Sequence, residues 1–295
     1  MGDLKWDLIR ADQLSDFRRL LDHAFGLKAP ASYLADFPVW DPSIDRQPNR
    51  FQIGGTLEGK LVTTASLRLV EYALAEGRVE KIGLIGAVAT HPDHGGKGYA
   101  SASLDRIFVE GRNHGVKAFA LWGSESALYS KRGFRFGGTQ LRTPLERLAI
   151  EGEIPEGYEV RTGWDEEVFN FLSRRKTGVR YLDSDLLWLS RQKSVEWRTI
   201  WFEGKCLAYC GWNRGIDLPG IIHEIDGTEE GKRALLLFVK RRYPELELLH
   251  HPRDTAYGLR AISLTEKLAQ FKFEAEGSAL ESSIDSVWFS GMDSC

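Results

Sequence analysis

The chain is poor in cysteine and has no long apolar segment, and both absences narrow its function. Its 295 residues include three cysteines, Cys206, Cys210 and Cys295. An odd and small number is atypical of a disulfide framework, and a two-cysteine metal site lacks its other ligands. No apolar run approaches the ~20 residues that span a bilayer, and residues 1–5 lack the apolar core of a signal peptide. We therefore expect a cytosolic protein.

The chain also lacks the charge and ligand patterns that nucleic acids, anionic membranes and metals require. Its 39 Lys and Arg residues against 42 Asp and Glu residues give a net charge of -3, and no dense basic block occurs. Neither nucleic acid nor a membrane is therefore expected as a main partner. His91 and His94 have metal-ligand spacing, but no third ligand is placed nearby, so we expect no metal.

What the chain does contain is a glycine-rich turn between an apolar run, Ile82 to Ala89, and a predicted helix over Tyr99 to Asn113. Glycines allow backbone conformations that a Cβ forbids, and the free amides at a helix start attract phosphate. The segment therefore predicts a pyrophosphate cradle, with a plain surface turn as the alternative interpretation. The cradle residues are Gly95, Gly96, Lys97, Gly98, Tyr99, Ala100 and Ser101.

A second segment follows, with a predicted strand over Val116 to Trp122, then Tyr129 and the pair Gly133-Phe134. Together the two segments resemble the acetyl-CoA-dependent N-acetyltransferases of the GNAT superfamily. In that family the phosphate loop reads Arg/Gln-x-x-Gly-x-Gly/Ala, and a later helix carries a tyrosine shortly before Gly-Phe. Gly98 and Ala100 match the last two fixed places of the loop. Gly95 stands where the family has arginine or glutamine, and this departure removes a side-chain donor.

The pair Ser124-Glu125 before Tyr129 is similar to one branch of that superfamily, the enhanced-intracellular-survival acetyltransferases. The resemblance implies tandem acetyltransferase folds and a third, sterol-carrier-like domain, for which we expect the chain to be too short. It implies that Tyr129 is the acid that donates to the departing coenzyme A thiolate. We assign Ser124 and Glu125 to the acetyl-CoA site. In that branch a terminal carboxylate is the base, which would here be that of Cys295.

Acyl transfer to an amine requires a base, because an amine with a pKa near ~10 is neutral in only about one molecule in a thousand at pH 7. The candidate bases are the carboxylate of Cys295, placed by a predicted final strand over residues 286–295, and side chains left open as alternatives. These side chains are Glu71, Glu80, His91 and Asp93. The transfer also needs donors to the thioester oxygen and a surface for the pantetheine arm. We assign both to the strand end formed by Val88, Ala89, Thr90 and His91.

The second part of the sequence resembles a degenerate copy of the first. The order of a long hairpin over Phe51 to Tyr72, a central strand, a helix and a strand predicts an α/β fold with a mixed sheet. We expect two tandem GNAT-like domains, a catalytic one over residues 1–148 and a degenerate one over residues 155–295. In the second copy Asp226, Glu229 and Glu230 replace the glycines and lysine of the cradle, and carboxylates repel a pyrophosphate. Glu266 stands at the place of Tyr129.

These patterns predict an N-acetyltransferase that moves an acetyl group from acetyl-CoA to a primary amine of a small molecule or peptide, through a tetrahedral intermediate. One active site is expected, in the first domain, with the second domain shaping the acceptor pocket or a homo-oligomer. Two alternatives stay open. The first is a noncatalytic acyl-CoA-binding or sensing protein. The second is an aminoacyl transferase with tandem GNAT folds, which would need a basic surface for RNA.

Overall fold

The computed structural model describes residues 4–44, 48–254, 264–274 and 279–294, which form one 13-stranded sheet with helices. The strands are β1 (Lys5–Leu8), β2 (Arg50–Leu57), β3 (Lys60–Ala73), β4 (Val79–Thr90), β5 (Ala118–Leu121), β6 (Arg135–Pro144), β7 (Tyr158–Thr162), β8 (Gly178–Arg180), β9 (Glu196–Phe202), β10 (Lys205–Arg214), β11 (Leu218–Gly227), β12 (Glu247–His250) and β13 (Leu264–Phe273). The helices are α1 (Leu14–Ala24), α2 (Tyr33–Asp36), α3 (Tyr99–Asn113), α4 (Ser126–Ser130), α5 (Glu166–Ser173), α6 (Leu186–Leu189), α7 (Glu229–Arg242) and α8 (Ala279–Ser282).

The sheet is mixed, as the sequence predicts. Its strand order is β1-β2-β3-β4-β5-β13-β6-β12-β11-β10-β9-β7, and β8 pairs beside this path with β3. Two pairs of neighbours, β4 with β5 and β11 with β12, run parallel. Each parallel pair is joined by a crossover helix, α3 in one case and α7 in the other, as parallel neighbours require. The α/β fold class is therefore confirmed.

Local sequence accounts for the elements around the parallel pair β4 and β5. Glu58 and Gly59 form the turn between β2 and β3 with positive φ angles of 51° and 79°, the geometry of a tight hairpin turn. Helix α3 begins at Tyr99 and ends at Asn113, the limits that the sequence predicts. Strands β3 and β4 are buried along most of their length, which agrees with their apolar composition.

The two halves of the chain, residues 1–148 and 155–295, share strands. Strand β13, from the second half, lies between β5 and β6 and pairs antiparallel with both. Strand β6, from the first half, continues on its other edge into β12. Each half therefore completes the sheet of the other. The domain limits drawn from sequence stay a prediction. In the structure, each half has strands whose neighbours in the sheet come from the other half.

Side chains join the halves in a common core as well. The guanidinium of Arg68 on β3 lies 3.1 Å from the carboxylate of Asp185, and both side chains are almost fully buried. The hydroxyl of Tyr72 accepts the Trp288 backbone N–H at 2.7 Å. Because breaking a buried ion pair leaves an uncompensated charge, these contacts fix how the halves meet.

The C-terminal segment differs from its prediction. Residues Ile284–Ser286 form a 3-10 turn, and residues 287–294 are irregular, so the final strand predicted over 286–295 is wrong. The aromatic residues of this segment are buried by packing instead of strand pairing: Phe289 packs against the rings of Tyr72 and Phe271. Cys295, the candidate base, lies outside the described residues.

Glu266 also lies elsewhere than its analogy with Tyr129 suggests. It belongs to strand β13 and pairs with Gln140 of β6, whereas Tyr129 belongs to helix α4. The proposed correspondence between Glu266 and Tyr129 is therefore wrong. Both residues stand five positions before a phenylalanine, but one lies on a strand and the other on a helix.

Among the described residues, no helix has the length and apolar character needed to cross a bilayer.

The shared strands predict that the chain cannot be divided into independent domains. A fragment of residues 1–152 lacks β13 and leaves β5 and β6 with open edges, so we expect it to show no cooperative thermal unfolding by circular dichroism. Expressed together with a fragment of residues 153–295, it should co-purify and regain a cooperative transition. The cut falls at Gly152, which is exposed. Cooperative unfolding of the first fragment alone would contradict the prediction.

Candidate active site

A gap opens in the sheet where the parallel strands β4 and β5 separate. Their pairing runs from Ile82 opposite Ala118 to Ile85 opposite Leu121 and then stops. Strand β4 continues to Thr90, while the chain leaves β5 at its next residue, Trp122. The last part of β4 therefore keeps β3 on one side and has no strand partner from β5 on the other.

A β-bulge in β4 lies directly at this gap. On β3 the pairing jumps from Thr64 opposite Ala89 to Ser66 opposite Gly86, so β4 has extra residues there. Ala87 in the bulge has a positive φ of 48°, which is rare for alanine, and its N–H donates to the Tyr33 hydroxyl at 3.2 Å. A bulge re-aims the following residues, and here it turns the strand end relative to the gap.

The four residues assigned to the pantetheine and oxyanion edge divide into two pairs. The N–H of His91 donates to the carbonyl of Val62 at 2.8 Å, and the carbonyl of Ala89 accepts the Thr63 hydroxyl at 3.0 Å, so both residues face β3. Since successive peptide groups of a strand point to opposite sides, those of Val88 and Thr90 point to the gap. Val88 lines the cavity described below and Thr90 does not, and a contact of either residue with a ligand stays a prediction.

The glycine turn has the backbone geometry of an anion cradle. Gly96 and Gly98 have left-handed φ angles of 72° and 77°, and Gly98 directly precedes α3. The first intrahelical bond runs from Ala102 N–H to the Gly98 carbonyl at 3.0 Å, so the amides of the three residues between them are the open ones of the helix start. The exposed Lys97 ammonium lies 3.4 Å from the His94 ring nitrogen Nδ1. Binding of a pyrophosphate by the cradle residues stays a prediction.

Tyr129 stands at the wall of the gap opposite the β4 bulge. Its side chain is 6% exposed, and its hydroxyl has no hydrogen-bond partner in the described parts of the chain. Burial, and then the negative charge of Glu125, raise the pKa of Tyr129 to about 12. The hydroxyl is therefore protonated at neutral pH and can act as a hydrogen-bond donor.

The ring of Tyr129 rests on Gly123, where a Cβ atom would lie 2.3 Å from the ring carbon Cε2. The carbonyl of Gly123 accepts a hydrogen bond from the Gln270 side-chain amide at 2.6 Å. Gln270 is 3% exposed and belongs to β13. A strand from the second half thus supports the segment that precedes the tyrosine helix. Sequence analysis missed this contact because it depends on strand exchange between the halves.

The gap forms a cavity of about 260 Å³. It brings together Val88, Ser124, Glu125 and Tyr129, which the sequence analysis named. Further lining residues were missed by the sequence analysis: Phe25, Tyr33 and Phe37 from the first half, and Ile216, Asp217 and Ser294 from the second. The glycine turn follows the same strand β4 but lies beyond this cavity. The missed residues come from segments without a motif, so only the fold could place them.

The corresponding junction of the second half has a smaller cavity, of about 160 Å³, and a helix start that is capped. The Thr228 side chain accepts the Gly231 N–H at 3.0 Å at the start of α7, and the Thr228 N–H donates to the Leu207 carbonyl at 2.8 Å. Glu229 and Glu230 occupy the first turn of α7. Capped amides and two carboxylates disfavour a phosphate at this helix start.

The histidines near the turn contact one another as rings. The centroids of His91 and His94 are 5.9 Å apart, and those of His23 and His91 are 4.8 Å apart. In the described part of the chain, no three His, Cys, Asp or Glu side chains are grouped so that they could hold a metal ion.

Comparison with known proteins agrees with this geometry. Residues 5–137 match the sequence family described as acetyltransferase (GNAT) domain, so the chain carries a GNAT acetyltransferase domain. The resemblance drawn from the two sequence motifs is thereby confirmed. The comparison with curated proteins finds no match.

Solved structures extend the likeness in fold to most of the chain. A GCN5-related N-acetyltransferase from Kribbella flavida is 18% identical with a TM-score of 0.66, covering 92% of this chain and 71% of that one. Eis1 from Mycobacterium abscessus is 13% identical with a TM-score of 0.65, covering 92% and 73%. A tandem GNAT protein from the clavulanic acid biosynthesis pathway is 13% identical with a TM-score of 0.53, covering 94% and 100%.

The contact between Gly123 and the Tyr129 ring yields a test of the tyrosine's position. We expect Gly123→Ala to displace the ring and to lower turnover by about 10²-fold, the lower range for loss of a positioned acid. Coenzyme A binding, measured by calorimetry, should stay within about twofold, because the cradle lies on another segment. Ser126→Ala, a change at an exposed residue of helix α4, which also carries Tyr129, is the matched control and should leave turnover unaltered. Unchanged turnover in Gly123→Ala would contradict the assigned contact.

Proposed function

We propose that the chain is an acetyl-CoA-dependent N-acetyltransferase acting on a primary amine of a small molecule or peptide. The observation that carries the proposal is one cleft lined both by Tyr129, whose hydroxyl has no hydrogen-bond partner among the described residues, and by strand β4, which leads into a glycine turn. Transfer is direct: the amine nitrogen attacks the thioester carbonyl, a tetrahedral intermediate forms, and its carbon–sulfur bond breaks.

Acetyl-CoA would be held mainly by backbone. The amides at the start of α3, with Lys97 beside them, suit the pyrophosphate. The pantetheine arm fits the gap beside β4, where the peptide groups of Val88 and Thr90 can pair with its amides. The thioester carbonyl then lies at the bulge, and the N–H of Val88 is the proposed donor to its developing negative charge.

Tyr129 is the proposed donor to the sulfur. Its pKa of about 12 keeps the proton on the hydroxyl through the pH range in which an amine acceptor becomes neutral. As the carbon–sulfur bond breaks, negative charge grows on sulfur, and a hydrogen bond from a buried hydroxyl stabilises it more than a solvated one would.

The base stays a prediction. The carboxylate of Cys295 lies outside the described residues, although its neighbour Ser294 lines the cavity. The alternatives Glu71, Glu80, His91 and Asp93 do not line that cavity. Glu80 instead pairs with Arg78 at 2.9 Å. A cytosolic location and a homo-oligomer stay predictions as well.

Removal of one oxygen atom tests the role of Tyr129. We expect Tyr129→Phe to bind coenzyme A with unchanged affinity and to lose turnover by about 10²-fold or more, because the ring still packs while the donor is gone. Thiol release with a mixture of amines is the readout. Tyr158→Phe in the second half is the control. Full activity of Tyr129→Phe would remove the residue from the mechanism, and absence of turnover in the unaltered chain would favour a noncatalytic acyl-CoA-binding protein.

The closed start of α7 predicts one coenzyme A site per chain. Calorimetric titration of the intact protein should give a single equivalent, because the second half offers capped amides and carboxylates where the first offers a glycine cradle. Gly98→Val, which strains a left-handed position, should abolish that equivalent. Two equal sites would refute the proposal that the second half is degenerate.

A further inference from the structure

The cavity beside Tyr129 carries negative charge. Its ionisable lining side chains other than the two tyrosines are Glu125 and Asp217, both carboxylates, and none of its described lining residues is lysine, arginine or histidine. A third carboxylate, Asp36, lies buried behind the wall and accepts the Ile216 N–H at 3.2 Å. A cavity with this lining favours a cation over an anion.

Asp217 is held in one orientation. Arg214 donates from Nε to its Oδ1 at 3.3 Å and pairs through Nη2 with Oδ2. The guanidinium is 1% exposed and also donates from Nη1 to the Ser294 carbonyl at 2.6 Å. It thus lies behind the wall and does not line the cavity. Arg214 offsets the charge of Asp217, and burial raises the pKa of Asp36, so the excess of negative charge in the wall comes chiefly from Glu125.

Three aromatic rings form the side of the same cavity. The centroids of Phe25 and Tyr33 are 4.5 Å apart at an interplanar angle of 22°, and those of Tyr33 and Phe37 are 4.6 Å apart at 27°. The Tyr33 ring is fixed by the hydrogen bond from the Ala87 N–H in the bulge. Phe25 is 44% exposed and therefore stands at the outer end of the stack. A flat apolar group can pack on such a stack, and the face of an aromatic ring also attracts a cation.

The cavity is also small. At about 260 Å³ it lies below the ~300–1,000 Å³ that is usual for drug-sized ligands. It must hold the acetyl end of the thioester together with the reacting part of the acceptor. A bulky polyhydroxylated or peptide acceptor would extend out of it, whereas a compact amine would fit inside.

We propose that the acceptor is a compact arylalkylamine, a primary amine on a short chain attached to an aromatic ring. This inference rests on the proposed acetyl transfer and names its substrate class. The ammonium is drawn in by Asp217 and Glu125, and the ring packs on the stack that Phe25 begins. After loss of one proton to the base, the neutral amine nitrogen forms its bond to the acetyl carbon. The carbon–sulfur bond then breaks, and sulfur leaves with the electron pair and takes the Tyr129 proton. The nitrogen gives up a second proton, which restores the Tyr129 hydroxyl, so the products are a neutral amide, coenzyme A and one proton on the base.

Loss of charge then favours release of the product. The substrate ammonium forms a charge-assisted contact with a carboxylate, while the amide formed from it carries no charge. The same carboxylates that collect the substrate thus hold the product more weakly.

A series of amines with the intact protein tests the inference. Phenethylamine, 2-cyclohexylethylamine and spermidine are compared by thiol release at saturating acetyl-CoA. We expect phenethylamine to exceed the saturated analogue by about 3- to 10-fold in kcat/KM, the range that aromatic pairing supplies, and to exceed spermidine by more. Equal or better reaction of the cyclohexyl compound or of spermidine would overturn the arylalkylamine assignment.

Variants of Asp217 and Phe25 test which residues select the amine. Asp217→Asn should raise the amine KM about tenfold with little change in the acetyl-CoA KM, and Asp217→Glu should bring the amine KM part of the way back. Asp183→Asn, an exposed carboxylate outside the cavity, is its control. Phe25→Leu should erase the preference for phenethylamine over its saturated analogue, while Phe136→Leu, 58% exposed on β6, should not.

The exposed position of Phe25 keeps the test valid even if Asp217→Asn unfolds the chain by leaving Arg214 unpaired. Retention of the aromatic preference in Phe25→Leu contradicts the proposal. If no amine releases thiol although coenzyme A binds, the proposed acetyl transfer itself fails, and this outcome is distinct from transfer that favours another amine class.

Discussion

The site depends on the point at which two parallel strands stop pairing. Strands β4 and β5 are joined as far as Ile85 and Leu121, and the bulge at Ala87 begins directly afterwards. A parallel sheet normally satisfies every peptide group with a neighbour, so this separation leaves the groups of Val88 and Thr90, two half-buried residues, without a strand partner from β5. The cavity, the strand edge and the position opposite Tyr129 all follow from that one interruption.

Strand exchange explains why the site includes residues from both ends of the chain. Because β13 lies beside β5, Gln270 reaches the Gly123 carbonyl and supports the Tyr129 ring. The turn between β10 and β11 brings Asp217 to the acceptor side of the cavity. The second half therefore contributes to the cleft through contacts within one continuous sheet, and its loss would remove parts of the cleft as well as sheet partners.

The parts of the fold that local sequence controls were predictable, and the parts that depend on strand exchange were not. Gly98 directly precedes helix α3, and the limits of this helix, Tyr99 and Asn113, are those that the sequence predicts. Tyr129 was named because it stands shortly before Gly133-Phe134 in a segment that resembles GNAT acetyltransferases, and its catalytic role stays a prediction. Asp217 and Phe25 have no such local signal, since their place at the cavity results from long-range packing. The C-terminal segment was mistaken for a strand because its burial comes from aromatic contacts and not from pairing.

The second half contains a similar end of parallel pairing but lacks the glycine turn. Strand β11 also ends its parallel pairing, at Ile222, directly before a bulge at His223. There a cavity of about 160 Å³ remains, and one of its lining residues, Arg175, forms a buried ion pair with Glu224 at 2.7 Å. Because breaking a buried ion pair is costly, this contact holds the wall of that cavity in place. The two halves thus share a bulge at the end of a parallel strand pair, and the first half has the larger cavity and the glycine turn.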